Sequence, residues 1–318
     1  MINFTIITPV FNREDCIGRC IESVVLQNYP AIEYWIVNDG STDKTDSIVE
    51  SYIKQYPYIK YHTFKKNKGV NTARNYAIQN CTGQFIIFLD SDDCFTENAL
   101  NTIQKRILSH PDYSHYLFAQ DDRMNYYNQN PLLKNSEPVE LHFSDFLSGK
   151  VSGDFTHVIS RTLIQPFPFD EKLRIYEALN FLRIFKAGRK QLFSKEIVVM
   201  RERNRFDSVT KESLLNNKKA LKNQYLALKE TLFLFGEDYV DIHAKDVMYN
   251  QLKRVYILGT ALEYYDENKH LEAFAKKLML KIPKKYQIID RLKLGFFLRT
   301  GIFGYSFVKN KIIRLFGF

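Results

Sequence analysis

The stretch FIIFLDSDDCF, Phe85 to Phe95, sets five apolar residues directly before three carboxylates, Asp90, Asp92 and Asp93, that fall within four positions. A run this short, rich in aromatic and β-branched side chains, is what a strand buried on both faces requires. The carboxylates at its end repel one another, and desolvation beside a buried strand adds to that cost. A cation relieves both. Oxygen-only donors favour Mg2+ or Mn2+, which keep waters and complete their shell with substrate phosphates, so the partner that suits this turn is a diphosphate held through a metal. The plainer alternative is a solvated turn in which one Asp caps the next helix.

Outward from this stretch, apolar runs alternate with helical patterns. Phe4 to Thr8, Tyr34 to Val37 and Ile59 to Phe64 read as further buried strands. Cys16 to Leu26, Thr45 to Tyr56 and Asn71 to Ile78 carry helical spacing; in the first of these Ile17, Ile21, Val24 and Val25 share a face. Strand and helix in regular alternation predict an α/β fold with a mostly parallel sheet covered by helices, and ligands of such sheets bind beyond the carboxyl ends of the strands. Three of those ends carry TPVFNRED, VNDGSTD and LDSDD. Together they bring Pro9, Phe11, Asp39, Asp90 and Asp92 to one sheet edge.

Four cysteines, Cys16, Cys20, Cys81 and Cys94, show neither a paired framework nor a metal spacing, so they read as reduced thiols of a cytosolic protein, with Cys16 and Cys20 as small residues on a helix face. The segment MINFTIITPVFNRE lacks the charged and apolar regions of a signal peptide. The formal charge of +9 is concentrated: residues 281–318 hold nine Lys and Arg against one acid. From about residue 284 this tail sets Ile288, Leu292 and Phe296, then Val308, Ile312 and Phe316, at fourfold spacing among cations, and no run is long enough to span a bilayer. It predicts a membrane-surface segment. Nucleic acid is not expected as a partner, because no recognised nucleic-acid module accompanies the charge.

TPVFNRE, VNDGSTDKT, NKGVNTARNYAI, TGQFIIFLDSDD and FDEKLRIYEALNFLRIFKAG, in that order over residues 3 to about 210, resemble the family 2 glycosyltransferases of GT-A fold. The resemblance implies a GT-A nucleotide-binding half at 1–110, an acceptor-binding half at 111–207, and a helical region at 208–318. Thr8, Pro9 and Phe11 would border the nucleotide base. Asp39 would accept from the ring N–H of uracil or thymine, and Lys68 and Arg74 would lie near the base and diphosphate. Ser91 would sit in the donor turn, with Asp90 facing the ribose, Asp92 binding Mn2+ or Mg2+, and Asp93 capping the next helix. The activity implied is metal-dependent, inverting transfer of a sugar from a nucleotide-sugar donor, UDP-linked by first choice, to a glycan or lipid-linked acceptor. Cell-surface polysaccharide synthesis at the inner face of the membrane is the implied setting.

One position departs from the family. Its base usually comes from a Glu-Asp pair at the start of the helix after FDE, and here the pair reads Glu177-Ala178. Ala cannot take a proton, which leaves Glu177, at an expected helix start, as the candidate base, with Asp154 and Glu171 as alternatives. Arg203 and Arg205 are candidates near the diphosphate. Beyond FDE, the expected elements are a helix from Glu177 to Lys186 stopped by Gly188, a strand over EIVVMRE, and long helices at Leu214 to Phe235 and Val240 to Tyr265. Two other functions compete. A noncatalytic nucleotide-sugar binder would explain Ala178, and a phosphatase of the haloacid dehalogenase class also places DxD after an apolar strand but leaves NDGSTD without a role.

Overall fold

The computed structural model describes residues 1–135, 138–173, 176–202 and 218–282, with 284 and 287. Apart from 284 and 287, the expected tail lies outside the described residues, as do Arg203 and Arg205. Backbone proximity divides the chain into two units, Met1–Asp207 and Ser208–Phe318.

The first unit opens with β1 (Phe4–Val10), α1 (Ile17–Val25), β2 (Ile32–Asn38), α2 (Thr45–Ile53), β3 (Ile59–Thr63), α3 (Val70–Asn80) and β4 (Phe85–Phe88). There follow β5 (Cys94–Phe95), α4 (Ala99–Ser109), β6 (His115–Ala119), α5 (Met124–Gln129), β7 (Val139–His142), α6 (Phe143–Leu147), β8 (Thr156–Ser160), α7 (Arg161–Ile164), α8 (Ala178–Gly188), β9 (Lys190–Ile197) and β10 (Val199–Met200). Eight strands form one sheet in the order β3-β2-β1-β4-β8-β6-β9-β7. The first four run parallel. β8 is antiparallel to both β4 and β6, and β9 runs parallel to β6. The carboxyl ends of β1, β2, β4, β6 and β9 therefore share one edge with the amino end of β8.

Burial explains the strand sequences. All seven residues of β1 are buried, so its polar side chains must find partners: Thr5 donates to Glu33 at 2.7 Å, and Thr8 accepts from Tyr34 at 3.1 Å. Pro9, which has no N–H to donate, lies past Ile7, the last β1 residue paired with β4. Along α1 the buried residues Ile17, Cys20, Ile21 and Val24 form the expected apolar stripe. Gly40 permits the NDGS turn: its φ is +76°, and a Cβ there would stand 2.7 Å from the Lys66 carbonyl carbon. On the other half of the sheet, His157 stacks on Phe181 at 3.8 Å and Phe146 on Phe185 at 3.9 Å, joining β8, α8 and α6.

EIVVMRE is not one strand. β9 ends at Ile197, where its register against β6 shifts, and after Val198 the chain leaves the main sheet for a two-stranded ribbon with β5, Val199 opposite Phe95 and Met200 opposite Cys94. A sequence pattern cannot show a strand changing sheets. Gly188 also lies inside α8, and the left-handed residue that ends the helix is Arg189, at φ 62°.

In the second unit α9 (Lys218–Asp241), α10 (Lys245–Ala261) and α11 (Tyr265–Lys277) follow one another. The break expected after Phe235 is absent. Gly236 sits inside α9 because an added Cβ would come within 2.6 Å of the Phe274 ring of α11, so this glycine serves close packing. The breaks that do occur use left-handed His243 and Glu263. At each, the next amide reaches back five residues, Ala244 to Tyr239 at 2.9 Å and Tyr264 to Gly259 at 2.8 Å, in the manner of a Schellman cap.

Candidate active site

The carboxyl edge of the sheet gathers the expected donor residues. Thr8 is buried at the end of β1, and Phe11 just beyond it is 38% exposed. Asp39, 3% exposed, follows β2, and its two carboxylate oxygens accept the backbone amides of Lys68 and Gly69 at 2.7 and 2.8 Å. It thereby clamps the loop before α3 onto the NDGS turn. The exposed Lys68 ammonium lies 4.4 Å from the Phe64 ring centre. Ser91 is buried, Asp92 half-buried and Asp90 exposed.

Arg74 stands at the centre of this edge. One terminal nitrogen meets Asp90 Oδ1 at 3.2 Å, and the other meets Glu177 Oε1 at 3.0 Å. Its side chain is only 12% exposed, and the guanidinium carbon lies 5.7 and 5.6 Å from the Phe88 and Phe169 ring centres. Glu177 occupies the N-cap position of α8, while Ala178 beside it is exposed. The candidate base is thus joined through one guanidinium to the turn that ends β4.

Asp93 does not cap a helix. β5 intervenes, α4 begins only at Ala99, and Asp93 Oδ1 instead accepts the Glu202 amide at 3.0 Å. Burial, then the charges of Asp90 and Asp92, push its carboxyl up to about 7. Arg19 fastens the same two segments: Nη2 donates to the Asp92 carbonyl at 3.2 Å and pairs with Glu202 at 2.9 Å. Of the alternative bases, Asp154 is 3.3 Å from Arg201, and Glu171 accepts from Asn75 at 3.2 Å.

Sequence reading missed Arg19, the Asp93–Glu202 bond and Arg201, whose partners lie far away in the chain. Asp121, which accepts the Arg201 amide at 3.4 Å, and Asp122, 3.9 Å from the Arg201 guanidinium, were legible in principle, because they follow β6 as Asp90 follows β4. A small, open depression beside Glu177 is lined by Asn71, Asp170, Leu173, Tyr176, Asn180 and Arg183, among others.

Among the described residues no group of three or more His, Cys, Asp or Glu is placed to hold a metal by itself. The turn nevertheless offers hard oxygen donors, Asp92 half-buried and Asp90 exposed, and this donor set suits a divalent cation that takes its remaining ligands from phosphate and water.

The model of glycosyl transferase family 2 matches residues 5–164, half of the chain. The chain belongs to glycosyl transferase family 2. The chain is 32% identical over 205 residues to glycosyltransferase GlyA of Streptococcus pneumoniae, a match covering 63% of this chain and 28% of GlyA. It is 29% identical over 192 residues to the GalNAc(5)-diNAcBac-PP-undecaprenol beta-1,3-glucosyltransferase of Campylobacter jejuni, covering 58% of this chain and 60% of that one. These matches therefore span less than two thirds of either relative. Among solved structures, S. aureus TarS 1-349 in complex with UDP-GlcNAc superposes with a TM-score of 0.66 at 19% identity, covering 96% of this chain and 91% of that one. The chain thus has the expected GT-A fold, an α/β sheet flanked by helices with further helices after it.

Proposed function

We propose that this glycosyltransferase moves a sugar from a nucleoside diphosphate donor, UDP-linked by preference, to a hydroxyl of a glycan or lipid-linked acceptor, with inversion and with Mn2+ or Mg2+. The observation that carries the reading is the convergence of Asp90 and Glu177 on Arg74 at the carboxyl edge. It is supported by the UDP-GlcNAc bound in TarS and by the undecaprenol-linked substrate in the name of the Campylobacter relative. Residues 1–110 would bind the donor and 111–207 the acceptor. The setting we propose is the inner face of the cell membrane; no described helix is long and apolar enough to cross one.

Thr8, Pro9 and Phe11 would border the base. Asp39, with each oxygen holding one amide, keeps a second acceptor site on each for an imide N–H. Lys68 at the loop tip would stand near the base and diphosphate, Ser91 would shape the turn, and Asp90 would accept from the ribose. Asp92 would hold the divalent cation, which when bound offsets negative charge on the departing diphosphate. Glu177 would take the acceptor hydroxyl proton as that oxygen bonds to the anomeric carbon and the carbon–diphosphate bond breaks, its electron pair leaving with the nucleotide. A single in-line displacement inverts the configuration and needs only this one base.

Glu177→Gln tests the assignment, since the amide preserves shape and cannot accept the proton. With the nucleotide sugar that most stabilises the protein against heat, turnover should fall by about 10²–10⁴-fold while donor-induced stabilisation persists. Undiminished turnover would remove Glu177 from the role. The exposed Ala178 favours one second reading, a noncatalytic donor binder; donor stabilisation with neither transfer nor slow donor hydrolysis in the unaltered protein would establish it.

A further inference from the structure

We infer that Arg74 is a positioning residue for Glu177 rather than a ligand of the donor diphosphate, an inference that rests on Glu177 being the base. The usual family pair of acids is reduced here to one carboxylate, so its orientation has to come from elsewhere. Three observations show where.

The first is the fork itself. A planar guanidinium presents its terminal N–H groups in fixed directions, and both terminal nitrogens of Arg74 are engaged, by Asp90 at 3.2 Å and Glu177 at 3.0 Å. The second is confinement: the side chain is 12% exposed, lies between Phe88 and Phe169, and its Nε is buried with no partner. A cation packed in this way is aimed and has little surface left to offer a phosphate.

The third is the rest of the α3 face. Asn71, Arg74 and Asn75 stand at i, i+3 and i+4, on one side of the helix. Asn71 Nδ2 donates to the carbonyls of Asp170 at 2.8 Å and Leu173 at 3.2 Å. Asn75 Nδ2 donates to the Phe169 carbonyl at 2.9 Å, and its Oδ1 accepts the Phe169 amide at 2.8 Å. One face of α3 thus holds the backbone of the segment leading to α8, and Arg74 holds the Glu177 carboxylate at its end. The same guanidinium fixes Glu177 relative to Asp90, which lets two carboxylates face one small region without repelling each other apart.

The test is a double-mutant cycle on the full chain, using the donor chosen by thermal stabilisation. Arg74→Lys keeps the charge and cannot span both carboxylates. It should lower kcat at least 30-fold and leave the donor KM and the UDP-induced thermal shift within threefold and within about 1 °C of the parent's. In a Glu177→Gln background the same change should cost less than threefold of the residual turnover, read as donor hydrolysis where transfer is too slow. If Arg74→Lys does not fold, Arg74→Gln is measured in the same cycle. A raised donor KM with unchanged kcat, or an equal loss in both backgrounds, would overturn the inference and make Arg74 a donor ligand or a structural residue. Full activity of Glu177→Gln by itself would instead overturn the base assignment, a result visible before Arg74 is altered.

Discussion

Asp90, Asp92 and Asp93 share one turn and meet three different surroundings. Asp90 is exposed and paired with Arg74, Asp92 is half-buried, and Asp93 is 9% exposed and bonded to the Glu202 amide. The strand was legible from FIIFL because alternation is irrelevant when both faces are covered. The division of labour was not, because it depends on Arg74 and Glu202, 16 and 109 residues away from their partners in this turn. The assignment of Asp92 to the cation makes a prediction. A ligand present at about 100 times its dissociation constant contributes about 2.7 kcal/mol to the folded state, which for a unit of this size raises Tm by roughly 5–10 °C. Scanning fluorimetry with UDP and Mn2+ should show such a shift, and Asp92→Asn should reduce it to less than about 2 °C. An undiminished shift in the variant would place the cation elsewhere.

At the scale of elements, α8 packs on the sheet through aromatic stacking on a histidine pair. His115 Nε2 and His157 Nδ1 are 3.0 Å apart, His115 is fully buried, and His157 lies flat on Phe181. Burial, and for His157 also the charge of Arg74, holds His157 down at about 3; burial beside His157 holds His115 well below its ordinary value. Folded pKa values below the unfolded ~6.5 mean that the unfolded chain takes up protons first as pH falls, so stability is lost below about pH 6.5. Asp93 acts in the opposite sense: held up to about 7 in the fold, it protonates in the folded state first and gains stability down to about pH 4. Two groups against one leave a net loss of stability as pH falls below about 6.5. Urea unfolding at pH 7.5 and 5 should show the loss, and Asp93→Asn should steepen it; an identical pH dependence in the variant would contradict the assignment.

For the molecule as a whole, the two units differ in what their sequences can reveal. The first is a sheet with a chemically marked edge, while the second, through α11, is helices whose turns rest on His243 and Glu263 rather than on glycine. That choice hid the break at His243, which falls inside the expected Val240 to Tyr265 helix, while α9 runs on past the expected end at Phe235. The proposed membrane attachment is tested at this scale too, because residues 281–318 hold nearly all of the net charge. With each cation near an anionic surface contributing ~1 kcal/mol, the full chain should sediment with phosphatidylglycerol-rich vesicles and be released as salt rises. A chain ending at 283 should stay in the supernatant; equal sedimentation of both would reject the tail as the anchor.

By itself the sequence determined the alternation of strands and helices, the parallel sheet, the edge carrying Asp39, Asp90 and Asp92, and the single acid at Glu177. These are local patterns, set by burial period and by the residue types that follow each strand. Only the tertiary structure decided that β9 passes into a second ribbon, that Asp93 ties down Glu202 rather than a helix, and that Arg74 bridges Asp90 and Glu177. Each of those depends on groups brought together by packing, and packing distance has no counterpart in sequence separation.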